Sequence, residues 1–471
     1  MVNYQNTFYA TKRLIGRKFW EVSHTSASYF LEEDKWGWIQ VYSPQLNTHL
    51  KPEDIAAQIL RKLVKDASEY IGEPIHEAVI TVPAYFTPFQ RQAIVEAAKT
   101  VGLKVVRIIN EPTAASLAYG LNLKEEIQTV LVFDMGGSSL DVSILEIGDG
   151  VFEVLATSGY PQLGGNDFDR EVLNYIVNQV VMSTGFNVRQ NKQALRYLMA
   201  VVERSKVELS GNLQTEIDLS LLPRIINGLQ NLENIILTRN QFEELCSDLI
   251  SRCKIPVEKA IRDAEIEKSA IDEVILVGGS TRIPAIQKLL EQILKKKLRQ
   301  TVNPERVVAL GAAIQAGVCS GDVKDILLLD ITSISLGIEI SGGFMYKMFF
   351  RNNTIPGKIA KVFSTSKDNQ TTMLIHILQG EKEMVRDNFS LGYLVFDGIP
   401  PAPRGVPEII ITFDIDANKI FEVTVKDTGT GKEQLLSISN NYTNIRQQQV
   451  VPKKHPLPDH PEYFDYRKQK F

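Results

Sequence analysis

The chain has 471 residues, of which 44% are hydrophobic and 23% are charged, and its formal net charge is -4. This composition is typical of a soluble globular protein, and the length predicts two or three domains. The charge gives no support for nucleic acid as a partner, and no apolar run reaches the roughly 20 residues of a membrane span.

Cysteine use and the N-terminal composition bear on the compartment. The three cysteines form neither a C-x-x-C pair nor a disulfide framework, which is typical of a reducing compartment. Residues 1–6 have neither the apolar core of a signal peptide nor the Arg and Ser richness of a transit peptide. We therefore expect no targeting segment in this chain.

Helical and extended patterns alternate in the first part of the chain. The predicted elements are helices over 52–71, 88–101 and 113–119 and strands over 78–83 and 105–109. This alternation predicts an α/β domain. Glu111 follows the second strand, at the end where open α/β sheets bind ligands, but an acid that starts a helix explains it equally well.

Residues 130–145 are the most informative stretch, because two apolar runs flank a turn of small residues between Asp134 and Asp141. Together with residues 151–157 they predict a three-stranded meander. The small residues 136–139 let backbone N–H groups point at an anion, which predicts a phosphate-binding nest. The two carboxylates would hold Mg²⁺ and orient an attacking water. A tight hairpin turn with two capping aspartates is the alternative.

A second glycine turn lies within residues 274–290, between a predicted strand and a predicted helix. This order predicts a phosphate or adenosine group at the helix N-terminus. The run has no Walker lysine and does not match G-x-G-x-x-G, which argues against a P-loop or a dinucleotide-binding fold.

The composition changes beyond residue 321. Residues 322–330 hold an apolar cluster between acids, which alone predicts a buried strand at the edge of the first domain. Helical patterns then disappear, and short alternating segments separated by turn residues predict a β-sandwich. These segments cover residues 372–378, 408–415 and 420–425.

Several long motifs follow one another along the chain. They are Ile80-Thr-Val-Pro-Ala-Tyr-Phe86, Arg107-Ile-Ile-Asn-Glu-Pro-Thr-Ala-Ala115, Phe133-Asp-Met-Gly-Gly-Ser-Ser-Leu-Asp141, Ile275-Leu-Val-Gly-Gly-Ser-Thr-Arg-Ile-Pro284, Asp322-Val-Lys-Asp-Ile-Leu-Leu-Leu-Asp330, Phe363-Ser-Thr-Ser-Lys-Asp-Asn-Gln370 and Gly398-Ile-Pro-Pro-Ala-Pro-Arg-Gly405. Together they resemble the 70-kDa heat-shock chaperones, the dnaK family, over nearly all of residues 4–440. Residues 242–250 and 261–264 resemble the cyanobacterial and plastid branch most, which indicates a chloroplast relative.

The resemblance implies an architecture and a function. An actin-like, two-lobed α/β ATPase domain would cover residues 1–321, truncated at its N-terminus, with an interdomain linker over 322–330. An all-β sandwich that binds peptides would cover 331–440, followed by a Pro-rich tail over 441–471. The implied function is ATP-dependent binding and release of unfolded polypeptides in protein folding and the stress response.

The resemblance also implies cofactors and partners. The cofactors are ATP or ADP and Mg²⁺. The partners are extended apolar polypeptide segments, J-domain proteins and nucleotide-exchange co-chaperones, without nucleic acid or a membrane. The implied location is the chloroplast stroma or the cytoplasm.

Carried over position by position, the resemblance assigns roles in catalysis. Lys12, which alone would be an ordinary exposed basic residue, approaches the γ-phosphate and the attacking water. Glu111 and Asp134 hold magnesium through waters. Asp141 helps to orient the attacking water, and Ser139 places a hydroxyl near the γ-phosphate.

The remaining implied residues contact the nucleotide or the peptide. The nucleotide set is Gly136, Gly137, Gly164, Gly165, Glu203, Lys206, Ser210, Gly278, Gly279, Ser280 and Arg282. The peptide set is Ile338, Ile340, Phe363, Ser364, Gln370, Met373 and Ile375. Without the resemblance, Glu203, Lys206 and Ser210 would be interpreted as a solvated helix face, and most of the peptide set as core.

The chain departs from the family's pattern in both implied domains. It begins after the first phosphate loop, of the form Asp-Leu-Gly-Thr-Thr, and Ser138 replaces a glycine that the nest would need at positive φ. We therefore expect impaired or absent ATP turnover. Ser341 and Ser366 replace larger residues over the bound peptide, so weaker peptide retention is expected. Prolines in the tail exclude a long lid helix.

Other functions stay open at this point. The first is a nucleotide-independent holdase or regulator that uses only the peptide-binding sandwich. The second is a non-functional truncated copy of a chaperone. An actin-fold small-molecule kinase is less well supported, because the linker and sandwich motifs match the chaperones throughout.

Overall fold

The computed structural model describes residues 6–22, 29–120, 127–226, 232–298, 302–417 and 419–437. The predicted Pro-rich tail over 441–471 lies outside these described residues. No helix among the residues described is long and apolar enough to cross a membrane.

The described α-helices all lie before residue 321, as the change of composition predicts. They are α1 (Pro52–Ile71), α2 (Pro88–Thr100), α3 (Glu111–Gly120), α4 (Gly165–Thr184), α5 (Lys192–Gly211), α6 (Leu222–Ile225), α7 (Arg239–Leu245), α8 (Ser247–Arg252), α9 (Lys254–Asp263), α10 (Pro284–Leu294) and α11 (Val307–Ser320). The strands in this part are β1 (Leu31–Glu33), β2 (Ile39–Ser43), β3 (Thr48–Leu50), β4 (Glu77–Val82), β5 (Lys104–Asn110), β6 (Gln128–Met135), β7 (Leu140–Gly148), β8 (Val151–Tyr160), β9 (Gln214–Ile217), β10 (Ile235–Thr238) and β11 (Glu273–Val277). We call residues 6–320 the α/β region.

Strands dominate the described chain after residue 320. We call residues 331–437 the β-rich region, and β12 leads into it. The strands are β12 (Leu327–Ile331), β13 (Leu336–Ile340), β14 (Phe344–Phe349), β15 (Thr354–Ile355), β16 (Gly357–Phe363), β17 (Thr372–Gln379), β18 (Phe389–Asp397), β19 (Ile409–Ile415), β20 (Phe421–Asp427) and β21 (Glu433–Ser437).

Local chemistry explains the first two helices, both of which were predicted. Pro52 occupies the first turn of α1, where its missing N–H costs nothing, and Gly72 ends that helix in the left-handed conformation at φ 84°. The Thr87 hydroxyl caps α2 by accepting a hydrogen bond from the Gln90 N–H at 3.2 Å.

The central sheet has the strand order β11-β6-β7-β8-β12-β15. The predicted meander is confirmed: β6, β7 and β8 pair in sequence as antiparallel neighbours. β11 extends the sheet parallel to β6, and β12 extends it parallel to β8. The apolar segment before residue 331 is therefore a strand of this sheet, as its pattern alone predicts, but it is half-buried rather than buried, and β15 follows it in the sheet.

The β-rich region contains two four-stranded sheets, with the orders β14-β13-β17-β18 and β16-β19-β20-β21. β19 alternates strictly between buried and half-buried side chains. This period of two, visible in the sequence, turns one face of the strand toward a common core.

The two regions share part of one hydrophobic core. Ile15, Phe86 and Phe89 of the α/β region belong to the same buried cluster as the interior of the β-rich region. The rings of Phe89 and Phe389 meet edge to face across the boundary, with centroids 6.0 Å apart. Arg351 Nη1 also pairs with Asp263 Oδ2 at 2.7 Å. The β-rich region is thus docked on the α/β region.

Candidate functional site

Two aspartates face each other at the ends of the central hairpin. Asp134 on β6 and Asp141 on β7 are partners in the antiparallel register, so their side chains project from one face of the sheet. Both are buried. A Cβ at Gly159 on β8 would lie 2.6 Å from Asp141 Oδ1, so glycine is what lets β8 pass beside this carboxylate.

Lys12 and Glu111 stand next to this pair. Lys12 lies in a 3-10 turn, Thr11–Arg13, and its Nζ donates to Glu111 Oε1 at 2.6 Å. Glu111 is the first residue of α3, where the helix dipole favours an acid. The structure confirms Glu111 as a helix-start acid, and the ligand-binding interpretation of Glu111 stays a prediction.

The carboxyl groups of this cluster have pKa values far from their usual range. Burial first, and then repulsion from Glu111, raises the pKa of Asp134 to about 7, while Lys12 opposes the shift. Burial and the charges of Asp134 and Glu111 raise the pKa of Asp141 well above its usual range. Asp141 Oδ1 is buried without a hydrogen-bond partner among the described residues. Burial and mutual repulsion thus favour protonation of Asp134 and Asp141 when no cation lies beside them.

The turn between the aspartates differs from the predicted nest. None of residues 136–139 has a positive φ, so the turn lacks the left-handed conformation that the predicted nest would use, as expected for a serine at position 138. The backbone N–H groups of Gly137 and Ser138 make no hydrogen bond within the described part of the chain. These two donors are available to an anion even without the left-handed geometry.

A second loop packs directly against this turn. The N–H groups of Gly165 and Asn166 donate to the carbonyls of Gly136 and Gly137, each at 2.9 Å. A Cβ at Gly164 would lie 2.6 Å from the Gly137 carbonyl oxygen, inside normal contact distance with rigid backbone. The close approach of the two loops therefore depends on glycine at position 164.

Gly164→Ala is expected to destabilise the fold by about 1–3 kcal/mol, because its methyl group would push the two loops apart. Gly211→Ala is the matched control, since a Cβ there meets nothing within 4 Å. Urea unfolding monitored by circular dichroism measures both changes. Equal stability of the two variants would show that the loops are not tightly packed.

Arg13 forms hydrogen bonds to both loops and so links them. Its Nε donates to the Ser138 carbonyl at 2.7 Å, and Nη2 pairs with Asp167 Oδ2 at 2.6 Å. Asp167 Oδ2 also accepts from the Gly164 N–H at 2.9 Å. Sequence reasoning gave Arg13 no role, and its position beside Lys12 was the only signal.

Sequence reasoning also missed Tyr85, which lies beside Asp141 and Ser139. Burial and then the charge of Asp141 raise the pKa of Tyr85 to about 12, and a hydrogen bond with Ser139 opposes this shift.

Part of the predicted nucleotide set contacts these two loops. Lys206 Nζ pairs with Asp169 Oδ2 at 2.7 Å and donates to the Gly165 carbonyl at 3.2 Å. Ser280 Oγ donates to the Gly136 carbonyl at 2.9 Å. α5 and the second glycine turn therefore both reach the predicted phosphate loops.

Other members of the set lie farther from that contact. Glu203 is exposed on α5, and Ser210 Oγ donates to the Lys206 carbonyl within the same helix at 3.3 Å. Arg282 Nε pairs with Glu305 Oε1 at 3.1 Å in an exposed position.

The second glycine turn also differs from the predicted direct passage into a helix. A short 3-10 turn, Gly279–Arg282, precedes α10. Gly278 has φ 84°, and a Cβ there would lie 2.4 Å from the Met135 carbonyl. Gly278 is therefore required by both its conformation and its close contact with β6.

The predicted peptide set is brought together, but mainly as interior side chains. Ile338, Phe363, Met373 and Ile375 are buried in the shared hydrophobic cluster, and Ile340 is partly buried against it. The polar members face neighbouring loops. Ser364 Oγ donates to the Pro407 carbonyl at 2.5 Å, and Gln370 Oε1 accepts from the Ser366 N–H at 2.9 Å.

A buried charge cluster joins β12 to both regions, and sequence reasoning gave no signal for it. Asp330 accepts from Asn110 Nδ2 at 2.9 Å and pairs with Lys419 Nζ at 3.1 Å. Arg91 Nη2 donates to Asn110 Oδ1 at 2.6 Å, and Lys419 Nζ also donates to the Ile331 carbonyl at 2.9 Å. Burial lowers the pKa of Lys419 to about 8 and that of Arg91 to about 10, and Asp330 opposes both shifts.

The side chains and open backbone groups of this site suit a divalent cation and an anion. Within the described ranges, no group of three or more His, Cys, Asp or Glu side chains is arranged to hold a metal ion by itself. The buried carboxyl groups nevertheless suit a hard divalent cation, which prefers oxygen ligands. The open N–H groups of Gly137 and Ser138 suit a phosphate. The residues present therefore fit both groups.

Comparison with known proteins agrees with the resemblance drawn from the motifs. Residues 1–454 match the family model described as Hsp70 protein. Chaperone protein dnaK of Guillardia theta is 55% identical over 445 residues, which cover 94% of this chain and 71% of that relative. The dnaK proteins of Cyanophora paradoxa and Cyanidioschyzon merolae are each 53% identical, over 94% of this chain and 71% and 73% of their own lengths.

Proposed function

Because the chain belongs to the Hsp70 family, we propose that it is a molecular chaperone that binds unfolded polypeptide segments and releases them under control of ATP. The observation that carries this proposal is β12. It pairs with β8 of the central sheet, and its Asp330 reaches Asn110 next to the nucleotide site and Lys419 in the β-rich region. Nucleotide and peptide binding can therefore influence each other through one strand.

Each cluster residue has a proposed role with bound ATP. Glu111 and Asp134 would hold magnesium, which would neutralise charge on the β- and γ-phosphates. Gly137 and Ser138 would donate backbone N–H groups to phosphate oxygens. Lys12 would approach the γ-phosphate, and Asp141 would orient the attacking water. We propose that these residues still hydrolyse ATP, at the impaired rate expected from a turn that lacks the left-handed conformation at Ser138.

The β-rich region is the proposed peptide-binding sandwich. Ile338, Ile340 and Met373 would contact an apolar side chain once the region separates from the α/β region, because they lie in or beside the cluster that the two regions share. Ser341 and Ser366 would hold peptide more weakly than larger residues. J-domain and nucleotide-exchange proteins are the proposed partners, and the algal relatives support the chloroplast stroma as the location.

Fluorescence anisotropy of a labelled apolar peptide tests the proposed function. Addition of ATP and magnesium is expected to weaken peptide binding at least tenfold, which corresponds to about 1.4 kcal/mol of coupling. Peptide affinity that does not respond to nucleotide would instead favour the holdase function. Absence of peptide binding by the folded chain would contradict both.

Magnesium binding is expected to depend on pH through Asp134. The folded pKa of about 7 lies above the ordinary value of 3.8, so the ionised carboxylate destabilises the fold increasingly as pH rises between these values. The cation requires the ionised form, so its affinity should increase by up to about tenfold per pH unit below pH 7 and level off above it. Calorimetric titrations of Mg²⁺ with ATP at several pH values measure this. Asp134→Asn should bind weakly with a shallower profile, and an equally steep profile in that variant would reject Asp134 as the titrating group.

A further inference from the structure

Three polar side chains form a hydrogen-bonded chain on one sheet of the β-rich region. His376 on β17 lies between Glu339 on β13 and Ser390 on β18. The imidazole Nδ1 is 2.7 Å from Glu339 Oε2, and Nε2 is 2.8 Å from Ser390 Oγ. A carboxylate, an imidazole and a hydroxyl in this order are the parts of an activated serine nucleophile.

The direction of each hydrogen bond follows from the acid. An ionised carboxylate can only accept, so Nδ1 of a neutral His376 carries the ring proton and donates it to Glu339. Nε2 is then the acceptor, and the Ser390 hydroxyl donates to it. This is the tautomer with which an imidazole can remove the hydroxyl proton as a general base.

A β-bulge in β18 turns the serine toward the imidazole. Leu378 pairs with Ser390, whereas its neighbour Ile377 pairs with Gly392, so Leu391 has no partner in β17. The extra residue puts Leu391 in the core and leaves Ser390 half-buried on the opposite face, where strict alternation would have reversed the two. Gly392 supplies the φ of 131°. Bulges that redirect a side chain are common next to active sites.

An apolar surface borders this chain of side chains. The Tyr393 ring stacks on the His376 ring, with centroids 4.1 Å apart, yet Tyr393 is 46% exposed. Leu374 and Val395 form the next pair on this face and are 36% and 53% exposed. Burial, and then the charge of Glu339, raises the pKa of Tyr393. Apolar area beside a negative charge suits an uncharged molecule better than an anion.

We propose that Ser390 is a nucleophile that takes the acyl group of small uncharged carboxylic esters. Ser390 Oγ bonds to the ester carbonyl carbon, and His376 Nε2 takes the hydroxyl proton. The bond from that carbon to the alcohol oxygen then breaks, and His376 returns the proton to the leaving alcohol. The products are the acylated serine and the free alcohol, so no other reactant is needed. Glu339 is a positioning residue, since it acts through the imidazole.

Release of p-nitrophenol from p-nitrophenyl butyrate by the full chain, without ATP, tests this activity separately from the proposed chaperone function. The rate that Ser390→Ala loses is the Ser390-dependent rate. His376→Gln is expected to lower it at least about 10²-fold, the usual contribution of a general base. His49→Gln is the matched control, because this exposed histidine also lies 2.8 Å from a glutamate oxygen, that of Glu32.

Two probes test the nucleophile and the substrate class. A fluorophosphonate should label Ser390 in preference to Ser320, an exposed serine whose hydroxyl donates to the Gly317 carbonyl, and mass spectrometry locates the label. The monoanionic p-nitrophenyl succinate should react more slowly than the butyrate, because Glu339 repels its carboxylate. No label on Ser390 in the folded chain would overturn the proposal and leave a purely structural network. Equal Ser390-dependent rates for the two esters would overturn the proposed class.

Glu339→Gln separates the chemical role of this acid from a structural one. Glutamine keeps the length and a hydrogen bond, but its amide donates to Nδ1, so the ring proton moves to Nε2. Nitrogen NMR of His376 should show this change, and the Ser390-dependent rate should fall at least about 10²-fold at similar stability in urea. Either ring-chain variant suffices if the other does not fold. An unchanged rate in a folded His376→Gln or Glu339→Gln protein would overturn the proposal.

Discussion

Lys12→Ala is expected to lower the rate of ATP hydrolysis by about 10²–10³-fold, the usual effect of removing one preorganised group that stabilises charge in the transition state. Lys12 is the positive charge nearest the carboxylate cluster, and its Nζ is held at 2.6 Å from Glu111 Oε1. Burial lowers its pKa, but the charge and the hydrogen bond of Glu111 outweigh burial and leave the pKa above the ordinary lysine value, so Lys12 stays protonated throughout the working pH range. The variant loses this charge and also leaves Glu111 without its partner. A phosphate-release assay under saturating ATP and magnesium measures the change.

Lys104→Ala is the matched control for this experiment. Lys104 Nζ also lies 2.6 Å from a glutamate oxygen, that of Glu77, but both side chains are more than half exposed. Exposed pairs of this kind contribute little, so hydrolysis should not change. A Lys12→Ala protein that hydrolyses ATP like the parent would remove Lys12 from the proposed mechanism.

Asp330→Ala is expected to separate the β-rich region from the α/β region. Asp330 is the acid next to two buried cations, Arg91 and Lys419, whose pKa values it raises against the effect of burial. Removing one partner of a buried pair typically costs about 3–5 kcal/mol, enough to shift a docking equilibrium by 10² or more. ATP should then fail to weaken peptide binding, which the anisotropy assay measures directly.

Two further variants separate this effect from a general loss of stability. Asp322→Ala removes an exposed acid from the other end of the predicted linker and should keep the response to ATP. Adding Lys419→Met to Asp330→Ala removes one unpaired buried charge and should recover part of the docking. A normal ATP response in Asp330→Ala would show that this cluster does not hold β12 in place.

Sequence reasoning located the parts of the site that have a local signature. The small-residue turn between Asp134 and Asp141 is a continuous motif between two apolar runs, and the structure places it at the end of the predicted hairpin. The family resemblance located Lys12, which has no local signature, and the structure pairs it with Glu111 across 99 positions of sequence. The catalytic and binding roles of these residues stay predictions.

What sequence reasoning missed depends on contacts between distant segments. The fastening of two loops by Arg13 requires the fold, since Asp167 is 154 positions away. The cluster at Asp330 combines four segments, and none of its members has a distinctive neighbourhood in the chain. The turn at Ser138 closes without a positive φ, as expected for serine, and the effect of this replacement on ATP turnover stays a prediction. The predicted peptide residues lie in or beside the buried cluster that the two regions share.

The most direct test of the proposed function is a calorimetric titration of the full chain with ATP, with and without magnesium, repeated with bound apolar peptide. We predict magnesium-dependent binding of ATP that is weaker when peptide is bound, because the two ligands favour different arrangements of β12 and their coupling is reciprocal. Intact peptide binding without any heat from ATP would contradict the account and leave a peptide binder that nucleotide does not control.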